Sequence, residues 1–240
     1  MKKVKKKLTI YDSTLRDGAQ TRGLAFGLND KIRIAEILDN LKVDYIEAGW
    51  PGANPTDDEF FKKVPKMSNS KIVAFGMTRK YGKSCQNDPG LNAVLNSGVS
   101  TACIVGKAWD FHVKKALGVS NKVNLDMIGD SIHYSSKRMD EIIFDAEHFF
   151  DGYKSNPKYS LKAIQIAFQA GAKYIVLCDT NGGTLPFELK KIISDVQNFV
   201  PSENIGVHFH NDSDLATANS LEAIRLGAVS YTHLTLPTKA

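Results

Sequence analysis

Short apolar runs recur along this chain at intervals that suit one kind of local unit. They begin near Leu8, Val43, Ile72, Thr101, Glu141, Tyr174 and Ile205, so successive starts lie 35, 29, 29, 40, 33 and 31 residues apart. A hairpin joins its strands with far fewer residues, whereas a strand–helix–strand crossover needs about this many. Strands are therefore predicted at Leu8–Asp12, Val43–Ala48, Ile72–Met77, Thr101–Val105, Glu141–Asp145, Tyr174–Cys178 and Ile205–His210. The stretches between them carry helix signals. Ile34, Ile37, Leu38 and Leu41 fall on one helical face behind the capping residues Asn29 and Asp30. Leu189, Ile192, Ile193 and Val196 do the same behind Thr184, a cap, and Pro186, a first-turn proline. Gly98, Gly171 and Gly227 stand where helices stop before the next strand. Only Lys107–Asn124 resists a clean assignment.

Seven such units in one run favour a (β/α)8 TIM barrel over a doubly wound sheet. A dinucleotide-binding sheet would also carry Gly-x-Gly-x-x-Gly after its first strand, and none is present. Barrel enzymes gather their chemistry at the C-terminal ends of the strands. Those ends carry Arg16-Asp17, Glu47, Arg79, Glu147, Asp179-Thr180-Asn181 and His208/His210. An eighth strand should begin near Ala228-Val229, but the chain runs on as Ser-Tyr-Thr-His-Leu-Thr-Leu-Pro-Thr-Lys-Ala240. The expected organisation is a basic tail over 1–7, a barrel over 8–229 truncated after about seven units, and a non-native tail over 230–240. An empty eighth slot would expose the edges of the first and seventh strands.

Composition narrows the class without naming a function. With 240 residues, 42% of them hydrophobic, the chain can bury a sizeable core. No apolar stretch approaches the roughly 18–20 residues that cross a bilayer, and no apolar segment follows the basic start to complete a signal peptide. Five of the 31 basic residues lie in the first seven, and without them basic and acidic residues balance at 26 each. No basic face for nucleic acid is implied. Three cysteines, Cys85, Cys103 and Cys178, with no Cys-x-x-Cys pair, fit reduced thiols in a cytoplasmic protein.

His208-Phe209-His210 has the period of a strand, so both imidazoles share one face and Phe209 takes the other. Two such rings can grip one metal ion or be hydrogen-bonded core histidines. Asp17, at the exit of the first strand, is the better third ligand, with Asn211 and Asp212 closer along the chain and suited to orienting the rings. Two imidazoles and a carboxylate leave positions open for substrate oxygens. Taken locally, Arg16-Asp17 could equally be a turn salt bridge. Glu147, beside aromatic residues, is a candidate acid–base, with Asp145, His148 and Asp151 as rivals. Thr180, before Gly182-Gly183, can donate to a carboxylate or belong to a helix cap.

Asp12-Ser-Thr-Leu-Arg-Asp-Gly18, and Gly206-Val-His-Phe-His-Asn-Asp212 with Ala218-Asn-Ser-Leu221, resemble two signatures of one barrel metalloenzyme family. Its members join or cleave carbon–carbon bonds next to a carbonyl, and include isopropylmalate, homocitrate and citramalate synthases and hydroxymethylglutaryl-CoA lyase. Tyr45-Ile-Glu-Ala-Gly-Trp-Pro-Gly52, Trp109-Asp-Phe-His112, Asp145-Ala-Glu-His-Phe-Phe-Asp-Gly-Tyr153 and Cys178-Asp-Thr-Asn-Gly-Gly183 are most similar to the citramalate synthase branch. The resemblance spans about residues 8–229. It implies that Asp17, His208 and His210 bind a divalent metal (Zn, Mn, Mg or Co), that Arg16 contacts substrate and the developing oxyanion, that Thr180 binds the 2-oxoacid carboxylate, and that Glu147 serves in catalysis. The implied reaction condenses acetyl-CoA with pyruvate and water to give citramalate and CoA, on the route to isoleucine. A 2-isopropylmalate synthase using 2-oxoisovalerate, or an inactive barrel fragment, is the alternative. The implied protein is a cytoplasmic homodimer with small-molecule substrates and neither nucleic-acid nor membrane partners. The resemblance also implies a continuation through an eighth strand with a Gly-Glu-Arg…Gly-Asn segment, an eighth helix, a lid and a regulatory domain, all expected to be missing here, and residues 230–240 resemble translated sequencing-adapter tails.

Overall fold

A computed structural model of the chain describes residues 8–234. The predicted basic tail, and the end of the predicted non-native tail, lie outside them. β1 (Thr9–Asp12) leads to α1 (Leu28–Asn40), β2 (Tyr45–Gly49), α2 (Pro55–Lys62), β3 (Lys71–Met77) and α3 (Pro89–Leu95). β4 (Thr101–Lys107) is followed by α4 (Asp110–His112) and α5 (Asn121–Ser136), and β5 (Glu141–Glu147) by α6 (Phe149–Ser155) and α7 (Pro157–Gln169). β6 (Tyr174–Asp179) precedes α8 (Pro186–Gln197), β7 (Ile205–Phe209) precedes α9 (Ala216–Arg225), and β8 (Ser230–His233) completes the order. All neighbouring strands are parallel, and the sheet closes as β1 through β8 in sequence order.

The predicted barrel is therefore present, and the expectation of an empty eighth slot is corrected. Ser230 and Thr232 are small enough to bury inward, while Tyr231 packs outward against the helical layer. The ladder pairs Thr9 with Ser230 and Asp12 with His233 on one side, and Gly206 with Ser230 on the other. Thr9 N–H donates to Val229 O at 2.8 Å and Ser13 N–H to His233 O at 3.0 Å, so backbone groups of β1 find partners there. The run lacks the apolar signature of the other strands because its inward positions are polar.

Local signals explain most boundaries. α2, α3 and α7 each start with proline behind a side-chain cap, from Asn54, Asp88 and Asn156. Pro186 opens α8 as predicted, but Thr184 is not its cap. Its N–H is taken by the Asp179 carboxylate at 3.0 Å, and Glu188 reaches back to Leu185 N–H at 2.8 Å. Asp30 likewise acts from inside α1, accepting from Gly27 N–H at 2.9 Å. The unassigned stretch resolves into the end of β4, α4, a π-turn over Val113–Leu117 closed by left-handed Gly118, and the start of α5. These pieces are too short for a helical period to be visible.

Strand alternation divides the core in two. Outward residues such as Ile46, Ile104, Phe144, Leu177 and Val207 pack with the helices. Inward residues Tyr11, Tyr45, Val73, Phe75, Cys103, Ile143, Val176 and Cys178 fill the barrel. At the N-terminal end of the barrel, Glu141 accepts from Tyr45 Oη at 2.7 Å, Lys71 Nζ at 2.7 Å and Lys173 Nζ at 2.6 Å. Burial would raise the Glu141 carboxyl, but the bonds from Lys173, Lys71 and Tyr45 outweigh it and hold it down to about 2. The folded value lies below the ordinary 4.5, so this group stabilises the fold above that pH. The contribution fades as pH falls through that ordinary value toward about 2. Chemical unfolding across this window should show the stability advantage of the wild type over Glu141→Gln shrinking steadily. A pH-independent gap would sink this account of Glu141.

Candidate active site

The opposite mouth collects Arg16, Asp17, Glu47, Asp145, His208 and His210. His208 points inward from β7, and His210 follows one residue beyond the strand end, held by its N–H bond to Asp179 O at 3.2 Å. Phe209 takes the other face, its ring centroid 5.2 Å from that of Phe150. Asp17 comes from the turn after β1, where its N–H and that of Gly18 both bond Ser13 O. Asp17 Oδ2 lies 3.3 Å from His208 Nε2 and 3.5 Å from His210 Nε2, with the two ring centroids 5.0 Å apart. Burial would raise the Asp17 carboxyl, but hydrogen bonds from both imidazoles and the charge of Arg16 hold it far below the usual range. The bond to Asp17 in turn raises His210.

Arg16 is fixed from three sides. Nε donates to Glu47 Oε2 at 2.5 Å, Nη1 to Asp17 Oδ1 at 3.1 Å, and the guanidinium lies 4.1 Å from the centroid of the Phe75 ring. Glu47, fully buried, also accepts from Tyr11 Oη at 2.7 Å. Asp145 lies on the inward face of β5, where burial, with the Glu47 charge adding to it, pushes its carboxyl up to about 6. Cys103 and Cys178 are buried close by, and desolvation raises both thiols, which keeps them protonated and inert.

The predicted residues fall into two groups. Asp17, His208 and His210 converge, with one ligand atom from each lying within 4.8 Å of the others, and Arg16 touches Asp17 directly. Glu147 instead pairs with Lys107, from the end of the neighbouring strand β4. Thr180 Oγ1 accepts from His148 N–H at 2.9 Å. Arg79 turns away from this mouth to Asp130 of α5, at 2.7 Å. The sequence offered Glu47 as a strand-end polar residue but gave no sign that it clamps Arg16, because the pair is 31 residues apart. Alternation with Tyr45 on β2 was the available signal for its inward direction.

The donor chemistry suits a divalent cation. Three carboxylates, Asp17, Glu47 and Asp145, act on one buried guanidinium, leaving an excess of negative charge in a low-dielectric place. Two imidazole nitrogens and one carboxylate oxygen meet at its edge, fewer donors than a divalent cation's coordination sphere takes. A cavity of about 350 Å³ opens beside Arg16, lined among others by Leu15, Gln20, Phe26, Trp50 and Asn54.

The family described as HMGL-like matches residues 7–232. The (R)-citramalate synthase of Aquifex aeolicus is 50% identical over 224 residues, covering 92% of this chain and 42% of that protein. A 2-isopropylmalate synthase of Prochlorococcus marinus is 37% identical over 235 residues, covering 92% of this chain and 41% of its own length. The chain thus spans less than half the length of these relatives. Among solved structures, the hydroxymethylglutaryl-CoA lyase of Pseudomonas aeruginosa superposes with a TM-score of 0.81 at 21% identity, over 95% of this chain and 76% of that one, a likeness of fold.

Proposed function

The chain belongs to the HMGL-like family, and from that premise we propose that it is an acyltransferase condensing acetyl-CoA with pyruvate and water to give citramalate and CoA. The observation that carries this reading is the convergence of Asp17, His208 and His210 beside a clamped Arg16. The greater identity to a citramalate synthase than to an isopropylmalate synthase favours pyruvate over 2-oxoisovalerate. Asp17, His208 and His210 would hold a divalent cation, which when bound supplies Lewis acidity toward a carbonyl. This donor set suits Zn, Mn and Co alike, and Mg is not distinguished from them.

The chain's own groups have separate tasks in this reading. Thr180 donates a hydrogen bond from its hydroxyl to the pyruvate carboxylate. Arg16, unable to lose its charge, stands where negative charge grows on the keto oxygen as the acetyl methyl carbon bonds the keto carbon. One fixed donor of this kind is worth about 3 kcal/mol. Its clamp matters because a guanidinium already held by Glu47 and Phe75 needs little reorganisation during the reaction. Glu147, paired with Lys107 at the rim, takes part in moving the methyl proton. Water then cleaves the thioester and frees CoA. A homodimer and a cytoplasmic location belong to the same reading, and among the described residues no helix is long and apolar enough to cross a membrane.

Thiol release from acetyl-CoA, followed with a chromogenic reagent, tests the proposal. Release should require both a divalent cation and pyruvate, and should be at least tenfold slower with 2-oxoisovalerate. A difference of that size corresponds to about 1.4 kcal/mol of discrimination, within reach of two extra methyl groups in a fitted pocket. Preference for the branched acid would transfer the assignment to isopropylmalate synthesis, and no release with either acid would refute condensation by this chain.

A further inference from the structure

His148 follows Glu147 at the end of β5 and has φ 54° and ψ 35°, left-handed values that a residue with a Cβ adopts only when its surroundings impose them. Two contacts hold it there, one crossing directly to the exit of β6 and one made within its own loop to Asp151 of α6. Its N–H donates to Thr180 Oγ1 at 2.9 Å. Its Nδ1 lies 3.2 Å from Asp151 Oδ2, and the same oxygen accepts from Asn181 Nδ2 at 3.0 Å. The ring is walled in by His112, with centroids 4.3 Å apart, and by Trp109, at 5.7 Å. The backbone thus reaches Thr180 directly, while the ring is linked to Asn181 only through Asp151.

A threonine hydroxyl has one proton to give and lone pairs to accept with. At Thr180 an acceptor site is filled by a backbone N–H, a donor that cannot reverse its role. The O–H must then point away from that N–H, so its proton is turned outward toward anything else it meets, and among the described residues nothing takes it. Without that N–H, the hydroxyl could turn either way and would discriminate less between an anionic and a neutral ligand.

We propose that His148 is a positioning residue: its left-handed backbone orients the Thr180 hydroxyl so that its proton faces the carboxylate of the 2-oxoacid. This deepens the functional reading above and rests on it.

Substitutions chosen for backbone preference rather than for side-chain chemistry test the proposal in the 240-residue chain. Glycine and asparagine accept left-handed angles and valine resists them. Calorimetric binding of pyruvate in the presence of Mn2+ should be weakened about tenfold or more by His148→Val, the weight of one hydrogen bond to a charged group. His148→Gly and His148→Asn should stay within about threefold of wild type. Thr180→Val should match His148→Val, and the double variant should be no weaker than either single one, since both remove one interaction. Mn2+ affinity should not change in any of them, which separates positioning from general damage to the mouth. If valine disrupts folding in thermal melts, the asparagine and glycine variants still decide, because loss of pyruvate binding in both would assign the effect to the ring and overturn the backbone role. Additive losses in the double variant would overturn it too. If wild type binds Mn2+ but no pyruvate, the functional reading itself fails and takes this proposal with it. Unchanged pyruvate binding in a folded His148→Val chain defeats the proposal alone.

Discussion

Replacing His208 with alanine should abolish stoichiometric binding of a divalent cation, lowering affinity by more than the roughly 10–100-fold that loss of an outer partner costs. His208 is nearly buried and lies within bonding distance of Asp17, so its ring cannot be replaced by a neighbour sliding in. The variant retains one imidazole and one carboxylate, too few donors to hold a cation against water. Titration calorimetry with Mn2+ reads the effect directly, and loss of CoA release should accompany it. Glu147→Ala is the informative control. Its carboxylate pairs with Lys107 and does not contact the three converging residues, so cation binding should persist while turnover falls. Undiminished cation stoichiometry in His208→Ala would remove that residue from the ligand set.

Glu47→Ala should cost about 3–5 kcal/mol of folding stability, the range for removing one partner of a buried ion pair. Burial alone does not predict this size, since a well-packed apolar substitute can replace a complete buried pair. The cost arises because both partners stay behind. Arg16 keeps Asp17 but loses its Nε acceptor, and Tyr11 Oη loses its acceptor deep in the barrel. Glu47→Gln keeps the volume and one acceptor oxygen, so it should cost clearly less. Urea denaturation of the three proteins without added cation makes the comparison. Equal stability of Glu47→Ala and wild type would mean that the clamp contributes nothing to the fold.

The barrel was legible because parallel strands impose a long, regular spacing between apolar runs, and the two imidazoles because a period of two survives any error in strand boundaries. The meeting of Asp17 with His208 and His210 was inferred from a shared mouth, which the closed sheet provides. Three features escaped for physical reasons. β8 has polar inward positions, so its strand character depends on its neighbours' ladders rather than on its own composition. The role of Glu47 depends on a contact between two different strand exits, which no local pattern encodes. The left-handed turn at His148 is imposed by contacts to Thr180 and Asp151, and nothing in Glu-His-Phe requires it. Asp145 and Glu147 share the inward parity of β5, and only depth distinguishes the buried one from the one at the rim.

Closure of the sheet by Ser230–His233 also bears on how the chain reaches this state. The seam joins segments from opposite ends of the described sequence, the most distant pairing in the molecule, while each remaining ladder joins strands separated by one connection. Pairings of such separation carry the greatest loop-closure entropy and are slow to form. During synthesis β1 emerges first and must wait for its last partner with one hydrogen-bonding edge open. That interval is when a neighbouring nascent chain could dock on it, so crowding of nascent chains is the condition this barrel tolerates least.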